Sequence, residues 1–298
     1  MVAEQNGPVP FSAAVLKLVL RHVGVQLALA VMWGRSPTAA ARPPARRVVL
    51  LGASNLVYSF PTVVETVRRM WQEPLEIMAA IGHGRSYGQD SQVLGRKISG
   101  IFPCALWKTL QGRSPLPTAA LVTDVGNDLG YGVPVSRIVS WVEACLDELE
   151  RAAATTIVTE LPLESLRRLG ARRFLFFRRL FFPSSTLELT ALVEQAGELN
   201  ERLVAIARQR KFSVIPVSGA WYGVDPIHLR RSIRRRAWPA ILAAWHVDVR
   251  LPTAPRASYW LRTYLRCLAP SEQTIFGWRR HSEQPCGVLR DGTTISLY

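Results

Sequence analysis

The chain has 298 residues, 48% hydrophobic and 20% charged. That balance excludes a disordered polymer and gives enough length to bury a sizeable core. Its formal net charge is +15 with a pI near 10.6. Lys17, Lys97, Lys108 and Lys211 are the only lysines, and no nucleic-acid recognition motif accompanies the arginines, so nucleic acid is not expected as a partner.

Residues 1–10 lack the basic start of a signal peptide. Phe11–Trp33 is apolar but broken by Lys17, Arg21, His22 and Gln26, and its uninterrupted part is too short to span a bilayer. An amphipathic helix lying on the body of the protein is expected there, with a membrane-surface helix as its rival. Arg35–Arg46, rich in Ala and Pro, reads as a linker.

Val48–Leu51 is a short apolar run, the pattern of a strand buried on both faces. Gly52 allows a tight exit, and Ser54 falls just past the strand's carboxyl end, where ligands bind in open α/β sheets. A helix is expected from about Pro61, a good first helical residue, to Trp71. Leu75–Ile81 reads as a second strand, ending in Gly82-His83-Gly84. Ser91–Leu110 reads as irregular or partly helical. Ala119–Val125 is a third strand, closed by Gly126-Asn127-Asp128. Val135–Arg151 has helical periodicity, with Ile138, Trp141, Val142, Cys145 and Leu146 on one face. Thr155–Leu161 is a fourth strand and Leu187–Arg210 a long helix. Phe212–Val217 is a fifth strand, followed by the loop Ser218–Ile227 and an Arg-rich helix to about His246.

Leu166–Phe182 interrupts this rhythm. Arg172, Arg173, Arg178 and Arg179 interleave with Phe174, Phe176, Phe177, Phe181 and Phe182. One reading is a helix whose phenylalanines pack inward while its arginines stay solvated. The other is a lid or membrane-facing flap, since exposed aromatic and cationic groups suit lipid or acyl chains. The segment from Pro252 to Tyr298 is a tail with a hairpin-like end, in which Asp291-Gly292 marks the turn. Its role, wrapping the core or mediating self-association, stays open.

Strands alternating with helices predict an α/β fold, a three-layer α/β/α sandwich on a flavodoxin-like parallel sheet of about five strands. The expected divisions are an N-terminal apolar helix and linker (1–45), a central domain (46–250) and a C-terminal extension (251–298). Cys104, Cys145, Cys267 and Cys286 are widely spaced with no C-x-x-C pair, which argues against zinc, a redox dithiol or a disulfide framework.

Four strand-end loops hold Ser54, Gly84, Asn127, and Asp225 with His228, and parallel strands put all their carboxyl ends on one side. Acyl transfer needs such parts. A serine is deprotonated by an imidazole, a carboxylate fixes the imidazole's tautomer, and backbone N–H groups with an amide hold the oxyanion. Asp225-Pro226-Ile227-His228 places acid and imidazole on one turn, stiffened by Pro226. His22 and His246 fall in helical segments and His281 in the tail. His83 flanks the oxyanion glycine, where it either shapes the pocket or faces solvent.

These blocks, in this order, resemble the SGNH/GDSL hydrolase superfamily. Gly52-Ala53-Ser54-Asn55-Leu56 is similar to its first block, Gly84 to the second-block glycine, Gly126-Asn127-Asp128 to the third block and Asp225-x-x-His228 to the fifth. One departure stands out: the usual Gly-Asp-Ser is here Gly-Ala-Ser. The resemblance covers roughly residues 46–246 and implies an esterase acting through an acyl-enzyme. Ser54 would be the nucleophile, His228 the base and Asp225 its orienter. The oxyanion hole would be formed by the N–H groups of Ser54 and Gly84 and the Asn127 amide, with no metal or organic cofactor. The implied partner is a small-molecule ester. The alternatives are an acyltransferase using the same triad and a catalytically silent binding or membrane-surface module. A cytoplasmic location is expected, with peripheral membrane contact through 11–33 or 171–182.

Overall fold

The computed structural model describes residues 42–93, 95–183, 185–245, 253–254 and 256–298. The expected helix at 11–33, most of the linker, His22 and His246 lie outside them. In chain order, strand β1 (Arg46–Gly52) leads into helix α1 (Ser54–Trp71), followed by β2 (Leu75–Ile81). Two short strands, β3 (Ser91–Val93) and β4 (Arg96–Ile98), precede α2 (Leu106–Gln111), β5 (Thr118–Val122) and the single turn α3 (Asn127–Gly130). Then come α4 (Val135–Arg151), β6 (Thr155–Thr159), α5 (Leu163–Arg167), α6 (Ala171–Phe181) and α7 (Leu189–Gln209). After β7 (Ser213–Ile215) the chain continues through α8 (Arg234–Leu242) and α9 (Tyr259–Cys267). It closes with β8 (Glu272–Ile275), β9 (Trp278–His281), β10 (Gly287–Val288) and β11 (Thr294–Leu297).

The five expected strands form one parallel sheet in the order β2-β1-β5-β6-β7. Period-two alternation splits β1 between two cores. Val49 and Leu51 face the layer that includes α4 and α7, whereas Val48 and Leu50 face the layer that includes α1 and α8. All four side chains are wholly buried, which is why the run carries no polar residue. The direction of strand addition reverses between β1 and β5, so a crevice opens beyond their carboxyl ends, at the topological switch point of such sheets.

Three expectations are corrected. The first helix begins at Ser54, and Pro61 lies inside it although it was expected at its start. A proline at that position removes the hydrogen bond its N–H would give to Val57. The helix tolerates the loss because Leu56, Phe60, Val63, Val64, Val67 and Met70 are buried against the sheet, and packing rather than propensity carries most helical stability. Ser91–Leu110, read as irregular or partly helical, carries helix α2 as that reading allowed, but also the β3–β4 strand pair that it did not foresee. The main sheet has seven strands, because the tail supplies β11 parallel to β2 and β10 antiparallel to β11. The β8–β9 hairpin meanwhile joins β3 and β4 in a second, four-stranded antiparallel sheet. The tail is thus part of the fold: Ile295 is wholly buried, and Tyr298 N–H donates to Ala79 O at 3.0 Å.

Candidate active site

Ser54 is the first residue of α1 and is 8% exposed. Its backbone N–H belongs to the first turn of a long helix, whose leading N–H groups have no intrahelical acceptor and favour negative charge. Gly52 precedes it because there is no room for a side chain: an added Cβ would lie 2.8 Å from Leu56 Cδ1 and from Thr123 Cγ2.

The serine Oγ lies 2.7 Å from His228 Nε2, and His228 Nδ1 lies 2.6 Å from Asp225 Oδ2. With Nδ1–H donated to the carboxylate, Nε2 presents its lone pair to Ser54. The other Asp225 oxygen accepts the backbone N–H groups of Ile227 at 3.0 Å and His228 at 3.1 Å. Burial pushes the Asp225 pKa up, but the His228 hydrogen bond and charge, with those two N–H groups, outweigh it and hold the carboxyl below its usual range. The carboxylate stays ionised where an imidazolium would need it.

The sequence reading missed what aligns these groups. Asp124, in the loop just past β5 with φ +61°, turns its carboxylate onto the β1–α1 corner. Its Oδ2 accepts the N–H groups of Ala53 at 3.0 Å and Asn55 at 3.1 Å, and its Oδ1 accepts the Asn55 amide at 2.9 Å. The same Asn55 amide donates to Ile227 O at 2.8 Å, while Asn55 Oδ1 accepts the N–H of Leu229 at 2.8 Å. Asn55 therefore ties the Ser54 turn to both flanks of His228. Desolvation raises the Asp124 pKa, and its hydrogen bonds to Asn55 and Ala53 oppose that rise. The available signal was a carboxylate closing an otherwise apolar strand.

Gly84 adopts φ +60°, and an added Cβ would lie 2.7 Å from the Tyr131 hydroxyl. Its carbonyl accepts that hydroxyl at 2.6 Å. The following residues pin the loop. Buried Arg85 donates to Ser99 O at 3.0 Å and also to Tyr298 O. Ser86 Oγ donates to Asp128, which also accepts Tyr87 N–H at 2.9 Å. Asp128 is wholly buried, and burial pushes its pKa up to about 6. Asn127, its neighbour, keeps a buried side-chain Nδ2 with no hydrogen-bond partner in the protein, an amide donor left over for something else.

Aromatic rings flank the imidazole. Tyr58, one turn beyond Ser54, packs edge-on at 5.4 Å and Phe181 of α6 edge-on at 5.2 Å between ring centroids. His83 lies on the exposed side, 4.9 Å from the Tyr58 ring. Partial desolvation, then the charges of Arg96 and His228, lower its pKa. His281 sits far along the tail on exposed β9. Among the described residues no cluster of three or more His, Cys, Asp or Glu side chains is arranged to hold a metal ion, and none of their helices is long and apolar enough to cross a membrane.

No protein-family model and no curated protein matches the chain. Solved structures similar to it include the psychrotrophic esterase EstA from Pseudoalteromonas sp., at 14% identity over 67% of this chain and 94% of that one, with a TM-score of 0.40. TesA is similar at 12% identity over 66% and 97%, with a TM-score of 0.43. The acetyl xylan esterase AlAXEase is similar at 10% identity over 68% and 100%, with a TM-score of 0.42.

Proposed function

We propose that the chain is a serine esterase that cleaves a carboxylic ester through an acyl-enzyme. The observation that carries this reading is the continuous relay from Ser54 Oγ through His228 to Asp225, at 2.7 and 2.6 Å. Ser54 Oγ attacks the ester carbonyl and its proton passes to Nε2 of His228. The resulting oxyanion is held by the N–H of Ser54, the N–H of Gly84 and the amide of Asn127, whose buried Nδ2 lacks a partner in the protein. As the tetrahedral intermediate collapses, the C–O bond to the alcohol breaks and the alcohol takes the proton from His228. A water then repeats the sequence against the acyl group, freeing the acid and restoring Ser54.

A fluorophosphonate probe tests this reading, since it captures an activated serine. Wild type is expected to label and Ser54→Ala not to. With p-nitrophenyl esters, Asn127→Ala should lower turnover roughly 10²–10³-fold, and Asp225→Asn more, because the imidazole loses its tautomer partner. A folded wild-type sample that neither labels nor hydrolyses any such ester overturns the assignment.

A second, compatible reading has the enzyme work at an anionic membrane surface. It is favoured by the outer face of α6, where Phe176 is 61% and Leu180 58% exposed beside the exposed Arg172 and Arg179.

A further inference from the structure

A cavity lies beside the candidate site, at the carboxyl ends of β5, β6 and β7, where Thr123, Thr159 and Val217 form its floor. Helix α6 covers it with one face only. Helical spacing puts Phe174, Phe177 and Phe181 on that face, and all three line the cavity. The far wall is aliphatic: Leu161, Leu166, Leu169 and Leu192. The polar groups at its mouth include Asn127, Asn55 and Asp124, which belong to the nucleophile corner and the oxyanion side described above. Phe181 touches both the cavity and the imidazole of His228. The cavity therefore borders both the Asn55–Asp124 corner behind Ser54 and, through Phe181, the imidazole of His228.

We infer that this cavity is the site for the acyl chain, and that the substrate class is esters of long, unbranched apolar acids. The inference rests on the ester-cleaving reading and deepens it. Its polarity follows from the chemistry. The leaving alcohol must lie next to Nε2 of His228, on the side bordered by Tyr58 and the exposed His83. Of the groups proposed to touch the ester, Asn127 lines the cavity and Gly84, Ser54 and His228 do not. The substituent placed to enter it is therefore the acyl group and not the alcohol beside His228. A preformed apolar cleft with a few polar groups at one end is the usual form of a site for such a ligand. Each methylene it takes from water should raise reactivity about fourfold until the cavity is full.

The test uses alkyl fluorophosphonates with two-carbon and twelve-carbon chains on the full chain. Ser54 Oγ would displace fluoride from phosphorus and its proton pass to His228. Wild type is expected to react at least about a hundredfold faster with the longer reagent. In Leu192→Trp, which fills the cavity from a half-buried position, that ratio should fall at least about tenfold, and Phe177→Ala, which widens the cover, should shift the optimum to a longer chain. Titration of Ser54→Ala with a fluorescent fatty acid gives a readout that needs no reaction. Saturable binding weakened by Leu192→Trp supports the acyl site even if nothing labels, an outcome that would sink the esterase alone. Equal labelling by short and long reagents overturns the acyl site while leaving the esterase intact. Absence of labelling together with absence of fatty-acid binding overturns both.

Discussion

At the scale of single residues, Ala53 stands before Ser54, the proposed nucleophile, where the hydrolases its sequence block resembles usually carry an aspartate, yet a carboxylate still governs that corner. It comes from Asp124 in the loop just past the neighbouring strand β5, and one of its oxygens accepts the N–H groups on either side of Ser54. Asp124→Asn keeps a side chain that tolerates the positive φ. It turns an amide N–H towards the amide of Asn55, however, so the bond at 2.9 Å becomes a donor facing a donor. An uncompensated buried donor costs about 1–3 kcal/mol. The expected result is a loss of stability in that range and a fall in kcat of roughly ten- to a hundredfold, with KM little changed. Steady-state kinetics and chemical denaturation check it. A change in KM alone would mean that Asp124 serves binding and not the alignment of Ser54.

At the scale of elements, α6 has two dissimilar faces that its sequence mixes. The inward-packing reading holds in part. Phe174 is buried and Phe181 packs on His228, so phenylalanines do point inward. Phe176, Leu175 and Leu180 stay exposed beside solvated arginines, which is what motivates the membrane-facing proposal. Two arginines anchor the helix: Arg178 lies 5.7 Å over the Phe174 ring and donates to Leu187 O at 2.8 Å, and Arg173 donates to Gly223 O at 3.2 Å and to Val224 O. An exposed face that is both aromatic and cationic should bind anionic vesicles through apolar insertion and charge. Sedimentation with phosphatidylserine-containing liposomes at low salt should pellet wild type. Phe176→Asp combined with Leu180→Asp should stay largely in the supernatant. Equal partitioning of the two proteins would remove α6 as the contact.

At the scale of the whole molecule, the tail and the loops around Gly84 are held by buried polar groups whose protonation couples to folding. Asp128 is wholly buried and its pKa lies at about 6 in the folded state against a usual 3.8. Between these values the folded protein binds a proton that the unfolded chain has released, so stability falls as pH rises through this window. Two units correspond to on the order of 3 kcal/mol. Asp128→Asn has no proton to lose, so the unfolding free energy of wild type should decline relative to it between about pH 4 and 6.5. Parallel curves from denaturant melts across that range would show that Asp128 does not titrate there.

The alternation of strands and helices, a parallel sheet built on five strands, and the placing of Ser54, Asn127 and His228 after strand ends were legible in the order of the amino acids. They could be read there because apolar runs and periodicities are local properties, and because parallel strands fix which loops share an edge. Three features were decided only in three dimensions. The carboxylate of Asp124 reaches Asn55 across 69 positions, and Asn55 reaches Ile227 across 172. No local pattern records such pairings, since they exist only once separate strand ends meet. The tail's place in both sheets depends on which strand edges the rest of the fold leaves open. The start of α1 ahead of Pro61 depends on burial against the sheet, which outweighs the one hydrogen bond that the proline removes.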